Sequence, residues 1–204
     1  MGAEAEHPLE AKQSARERIL RAAHDLFYRD GVRATGVDRL IAEAGVTKVT
    51  FYRHFACKDD LVRAFLAYRH ERWMDWFVAA LARHIAAQDP GARRDAPLAP
   101  LHRALEEWFC DPAFRGCAFI NSIAELGGAL PGICEAATRH KREMTEAIVA
   151  LMPDDPHAPE IAEAAALAVD GAIVRAQAER REAQQALTAL RHVLDALISA
   201  SRTA

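Results

Sequence analysis

Cysteine is scarce in this chain of 204 residues: there are four, Cys57, Cys110, Cys117 and Cys134, with no C-x-x-C pair and no zinc-ribbon spacing. Neither a disulfide scaffold nor a structural metal knot is expected, and the four read as reduced thiols. No apolar run approaches the roughly 18 residues that a membrane span needs, and the opening "MGAEAEHPLEAKQSARE" has no hydrophobic secretory core. A cytoplasmic protein without a membrane partner is expected. There is no low-complexity tract, few β-branched clusters and no convincing period-2 run, so the chain reads as all-α. Also missing are a phosphate loop, a cofactor fingerprint and a nucleophile with a base at motif spacing. No enzyme activity and no cofactor are expected on those grounds.

Apolar residues make up 51% of the chain, enough for one good core or for a small module of about 50 residues fused to a larger one. Charge favours the second arrangement. Residues 12–58 hold ten Lys and Arg against five Asp and Glu; residues 59–204 hold sixteen against twenty-one. A cationic head ahead of an acidic body points to a polyanion-binding segment on a body with another task.

The apolar spacing sets out the head. Ser14 and Glu17 form an S-x-x-E capping box, after which Ile19, Ala22, Ala23, Leu26 and Phe27 share one helical face, up to the stop at Gly31. A short second helix follows in "GVDRLIAEAG", with Val37, Leu40, Ile41 and Ala44 inward and Gly45 as its stop. Thr47 is placed to cap a third, anchored by Val49, Phe51, Tyr52 and Phe55, while Lys48, Thr50, Arg53 and His54 face away. Two short helices across a glycine turn, the second polar on its outer side, describe a helix-turn-helix whose second helix can enter the major groove.

Residues from about Ala15 to Leu61 resemble the DNA-binding head of the tetracycline-repressor (TetR) family. The family pattern "T-x-V-x-x-I-A-x-x-A-G-V-S-x-x-T-x-Y-x-x-F-x-x-K-x-x-L" is matched here by Thr35, Val37, Leu40, Ala44, Gly45, Val46, Thr47, Thr50, Tyr52, Phe55, Lys58 and Leu61. The resemblance implies backbone contacts to DNA from the hydroxyls of Thr50 and Tyr52, from Lys58, and from Thr35 with the amides beside Gly36. Thr47, Lys48, Val49, Arg53 and His54 are then nearest the bases, although Arg53 and His54 also fit a phosphate contact or a solvated face. The chain departs from the pattern at Val49, where Gly or Ala is frequent, at Gly36, where Ser or Thr is frequent, and at Cys57, where Ser or Asn is frequent. Cys57, at a helix start beside Lys58, reads either as an oxidation-sensing thiol or as an ordinary small residue.

The expected organisation is a flexible N-terminal arm over 1–12, a helix-turn-helix domain over 13–57, and a ligand-binding and dimerisation domain over 58–204, with about nine helices. Helix four runs through "DDLVRAFLAYRHERWMDWFVAALARHIAA", and the Pro, Gly and charges of "QDPGARRDAPLAP" predict an irregular linker after it. "LHRALEEWFCD", "GCAFINSIAELGG" and "PGICEAATRHKREMTEAIVALM" supply the next three helices. Trp73, Trp76, Phe77, Leu105, Trp108, Phe119 and Met144 are candidates to line an effector pocket, with Cys117, Asn121, Glu125 and His140 as its polar members. Asn121, Glu125 and His140 either satisfy one another or await a ligand. A metal set of His140, Glu125, Cys117 and His102 has no recognised ligand spacing, and no metal is expected.

On the last two helices, Ile161, Ala165, Ala168, Ala172 and Ala176 form a small-residue face, and Leu187, Leu190, Leu194 and Leu197 repeat at coiled-coil-like spacing. These residues either close the protomer's own core or pair with a second copy in the four-helix interface that the family resemblance implies. The expectation is a homodimeric, sequence-specific transcriptional regulator, a repressor by family resemblance. Its partners would be double-stranded DNA with a pseudo-palindromic operator, a second copy of itself and a small-molecule effector in the body. The alternatives are an effector-independent architectural DNA-binding protein and, less in keeping with the residues, a small helical enzyme using the body pocket.

Overall fold

The computed structural model describes residues 14–178 and 180–202, so the arm read over 1–12 lies outside the described residues. Among the described residues there are ten helices and no strand: α1 (Ala15–Asp30), α2 (Val37–Ala44), α3 (Lys48–His54), α4 (Lys58–Ala86), α5 (Pro90–Asp95), α6 (Ala99–Cys110), α7 (Ala118–Leu126), α8 (Ile133–Val149), α9 (Ala158–Ala178) and α10 (Arg180–Ser201). None of them is long and apolar enough to cross a membrane. The chain forms two compact units, one ending at Phe65 and the other beginning at Leu66.

The head takes its shape from the signals the sequence displays. The Glu17 amide donates to Ser14 Oγ at 3.2 Å and the Ser14 amide donates to Glu17 Oε2 at 2.8 Å, closing the capping box reciprocally. Ile19, Ala22, Ala23, Leu26 and Phe27 are all buried, as the α1 periodicity requires. Gly45 ends α2 in the left-handed region (φ 59°), where a side chain would be strained, and Arg18 of α1 donates to its carbonyl at 3.2 Å. The tight turn between α2 and α3 is thus tied back to α1.

The start of α4 marks the domain boundary read from the sequence, but the compact unit continues to Phe65. Leu61, Val62 and Phe65 are buried in the head, and the Phe65 ring meets Phe27 edge-on at 5.4 Å. A fully buried Phe or Leu contributes roughly 1.5–3 kcal/mol, so these side chains are an integral part of a small core.

In the second unit α10 packs on α9 and α6, and α8 packs on α9 and α7. Lys141 of α8 pairs with Asp170 of α9. The region predicted as irregular linker contains a helix, α5, because Pro90 stands at its first position, where the missing N–H costs nothing and the fixed φ is already helical.

The dimer residues read from the sequence need correction. Ile161, Ala165, Ala172, Ala176, Leu187, Leu190 and Leu194 are buried within the protomer, and Ala168 and Leu197 are half-buried. The seven buried ones close the body's own core, the other of the two roles open to them. The outward apolar residues are different ones: Leu167, Val174 and Val193, exposed by 68%, 52% and 42%.

Candidate functional site

The head presents α3 outward. Phe51 is its anchor, wholly buried and flanked by the rings of Tyr52 at 5.3 Å and Phe55 at 6.4 Å. Thr47 caps the helix, accepting from the Thr50 amide at 3.2 Å, and the two hydroxyls lie 2.9 Å apart. Lys48, Val49, Tyr52, Arg53 and His54 are exposed, Val49 by 69%, although the sequence reading counted it among the anchors. With no acidic residue in α3, the outward surface carries cations, hydroxyls and one branched apolar side chain. That set suits phosphate contact and groove-edge readout, with Val49 able to meet a thymine methyl.

Two expected backbone contacts are placed differently. Thr35 is fully buried, and its Oγ1 donates to the Gly31 carbonyl at 2.8 Å, so the hydroxyl holds the turn before α2 instead of facing outward. Lys58 is half-buried, with Nζ donating to the Val32 carbonyl at 2.6 Å and lying 5.9 Å from the centre of the Phe27 ring. At Gly36, α2 opens without a side-chain cap, so its first amides lack both an intrahelical and a capping partner, which favours an anion there. Cys57 is exposed in the short connection before α4.

The body gathers most of the predicted pocket residues into one aromatic cluster. Trp73 stacks on Phe77 at 4.6 Å, meets Trp108 at 5.4 Å and Trp76 at 6.1 Å, and its ring lies 4.9 Å from His140. Phe119 stacks on His140 at 3.9 Å. Leu105 and Met144 are also buried, and so is Cys117, just ahead of α7.

Asn121 and Glu125 do not join His140. Asn121 Nδ2 donates to the Arg115 carbonyl at 3.1 Å and its Oδ1 accepts from Gln177 at 3.2 Å, so it ties α7 to the preceding loop and to α9. Glu125 is half-buried on the same side of α7, one turn on. His102 Nε2 lies 3.1 Å from the Leu187 carbonyl, linking α6 to α10. Among the described residues no group of three or more His, Cys, Asp and Glu side chains could hold a metal ion.

The partner of His140 is a residue the sequence reading passed over. His70 Nδ1 lies 3.1 Å from His140 Nδ1, and His70 Nε2 lies 3.0 Å from Glu143 Oε2. Burial pushes His140 down from its ordinary 6.5 to about 2, with Lys141, His70 and Arg69 adding repulsion, so the ring is neutral. His70 follows Leu66 by one turn and precedes Trp73 and Phe77 on the same stripe of α4, and that spacing was the available signal. Its charged neighbours in "YRHERW" disguised it. The Trp73 Nε1–H is buried with no hydrogen-bond partner among the described residues.

A separate cleft of about 580 Å³, lined in part by Arg93, Arg94, Leu151, Asp154 and Arg202, contains none of the residues assigned from the sequence.

An exposed, acid-free recognition helix on a glycine turn defines a helix-turn-helix DNA-binding protein. Residues 19–65 match the family model of bacterial regulatory proteins, tetR family. The transcriptional regulator AcuR of Cereibacter sphaeroides is 29% identical over 185 residues, 82% of this chain and 78% of that protein. The HTH-type transcriptional regulator TtgR of Pseudomonas putida is 40% identical over 62 residues, 30% of each chain. Among solved structures, a TetR-family transcriptional regulator from Streptomyces coelicolor superposes with a TM-score of 0.75 at 28% identity, over 90% of this chain and 89% of that one. Residues 19–65 thus form a DNA-binding head of the tetR family, and over most of its length the chain is similar to TetR-family transcriptional regulators.

Proposed function

We propose that the protein is a homodimeric repressor whose affinity for a pseudo-palindromic operator is altered by a small-molecule effector held in the aromatic cluster of the body. The observation that carries the effector part is the buried Trp73 Nε1–H, which has no partner among the described residues, set against a neutral His140 among Phe77, Trp108 and Phe119. Buried polar groups in native proteins nearly always have a partner, and a ligand is the natural one here.

Dimerisation is supported by the outward faces of α9 and α10. Leu167, Gly171, Val174 and Ala178 follow one another at steps of four, three and four residues, and Ala189, Val193, Ala196 and Ala200 form a second exposed stripe. Two helices that already close the protomer's core with one side and carry apolar side chains on the other suit pairing with a second copy, which would bring two heads to one operator. An effector that prefers one state of the dimer by roughly 3 kcal/mol changes DNA affinity more than a hundredfold by linkage.

The test is a screen of small molecules against protein bound to a fluorescent operator duplex. At least one compound is expected to weaken binding by tenfold or more in the wild type and to lose that effect in the Trp73→Ala variant. Release that is equally strong in both proteins would move the effector elsewhere.

A further inference from the structure

The hydrogen-bond chain Glu143–His70–His140 sets what the aromatic cluster offers a ligand. An ionised carboxylate only accepts, so Glu143 at 3.0 Å draws a His70 proton to Nε2. With that single proton on His70 its Nδ1 is an acceptor, and the facing His140 Nδ1, 3.1 Å away, carries the proton of the second ring. His140 stays neutral, because burial disfavours a second proton on it. Its remaining nitrogen, Nε2, therefore presents a lone pair. The Trp73 ring, 4.9 Å from His140, adds an N–H that is buried and has no partner among the described residues.

Resting on the effector reading above, we infer that the ligand class is a neutral aromatic molecule bearing a hydroxyl group, with its oxygen accepting from Trp73 Nε1–H and its proton donated to His140 Nε2. A hydroxyl satisfies both groups with one atom pair. A carboxylate would meet the His140 lone pair with its own. A bare hydrocarbon would leave the Trp73 N–H as unpartnered as before, and an ether would use that N–H but not the lone pair. The walls supply the aromatic preference: Trp76, Phe77, Trp108 and Phe119 surround the two polar groups, either directly or through Trp73.

The experiment is calorimetric titration of the full chain with four probes of one shape: 4-propylphenol, 4-propylanisole, propylbenzene and 4-propylbenzoate. The phenol should bind at least about tenfold more tightly than propylbenzene, with the anisole between them, since one buried hydrogen bond separates each of these steps, and the benzoate should be weakest because its charge loses hydration against a lone pair. In Trp73→Phe, which keeps the ring and removes the N–H, the advantage of the anisole over propylbenzene should vanish and that of the phenol should shrink. In His140→Phe the phenol and the anisole should bind alike. The Trp73→Phe arm stands even where the His140 variant fails to fold. Equal binding of propylbenzene and the phenol, tighter binding of the benzoate, or no binding by any probe up to its solubility would each overturn the hydroxyl class. The operator-release screen decides the effector reading separately, so a compound that releases DNA through the cluster without a hydroxyl would sink this inference and leave that reading standing.

Discussion

His70 and His140 face each other through their Nδ1 atoms at 3.1 Å, and the outer nitrogen of His70 is held by Glu143 at 3.0 Å. One ring is thereby anchored to a carboxylate near the edge of the body, and the other is sunk among Trp73 and Phe119.

This burial has a consequence for stability against pH. An unfolded histidine takes up its proton near 6.5, whereas His140 in the fold does so only at about 2. Between those values the unfolded chain binds a proton that the native one refuses, so stability falls as pH falls below about 6.5. The loss is about 1.4 kcal/mol per pH unit, or roughly 2 kcal/mol between pH 6.5 and 5. Urea unfolding at pH 8, 6.5 and 5 should show the wild type losing stability over the lower interval and His140→Phe losing distinctly less. Equal losses in the two proteins would show that His140 does not carry the effect.

Thr35 offers a separation of structural from DNA-binding roles. Because its hydroxyl is buried on the Gly31 carbonyl, Thr35→Val should lower the stability of the head by about 1 kcal/mol. Operator affinity, measured by anisotropy well below the unfolding temperature, should change by less than about threefold, a step worth under 1 kcal/mol. A tenfold loss without loss of stability would return Thr35 to the DNA surface.

The exposed stripes of α9 and α10 predict the effect of charge. Leu167→Glu combined with Val193→Glu should turn a dimer into a folded monomer in sedimentation experiments, since both side chains face outward and neither belongs to the protomer's core. Operator affinity should fall with it. A variant that remains dimeric would place the interface on another face.

Arg53 distinguishes two roles left open for the outer face of α3. If its guanidinium meets a phosphate, Arg53→Ala weakens binding on all sequences alike and reduces the salt slope by about one; if it meets a base edge, the variant relaxes preference at one position. The salt dependence and a panel of single-base operator variants separate the two. An unaltered affinity would make Arg53 a solvated residue.

The head was legible because its signals are local: a capping box, glycines that stop helices, and five inward residues at helical spacing are each complete within a few positions. The body was legible in region but not in detail. His70 sits between Arg69 and Glu71 and is buried only because α4 turns that one residue inward, a fact its charged neighbours conceal. Asn121 looked like a pocket residue because it lies among apolar positions, but its partners, the Arg115 carbonyl and Gln177, are 6 and 56 residues away in sequence. On α9 the difficulty was symmetry. Alanine-rich turns carry apolar residues on every side, so periodicity alone could not tell the stripe that closes the core from the one that faces outward. Pro90 misled in the opposite sense, since proline bars a helix interior but suits its first turn.

The most direct test of the account is enrichment of genomic DNA fragments on the purified protein at about 150 mM salt, where non-specific binding is already weak. One or a few pseudo-palindromic sites should be recovered, and a variant stripped of the outward α3 side chains Lys48, Val49 and Arg53 should recover none of them. Fragments retained without regard to sequence, or equally well by that variant, would contradict a regulator that reads its operator through α3.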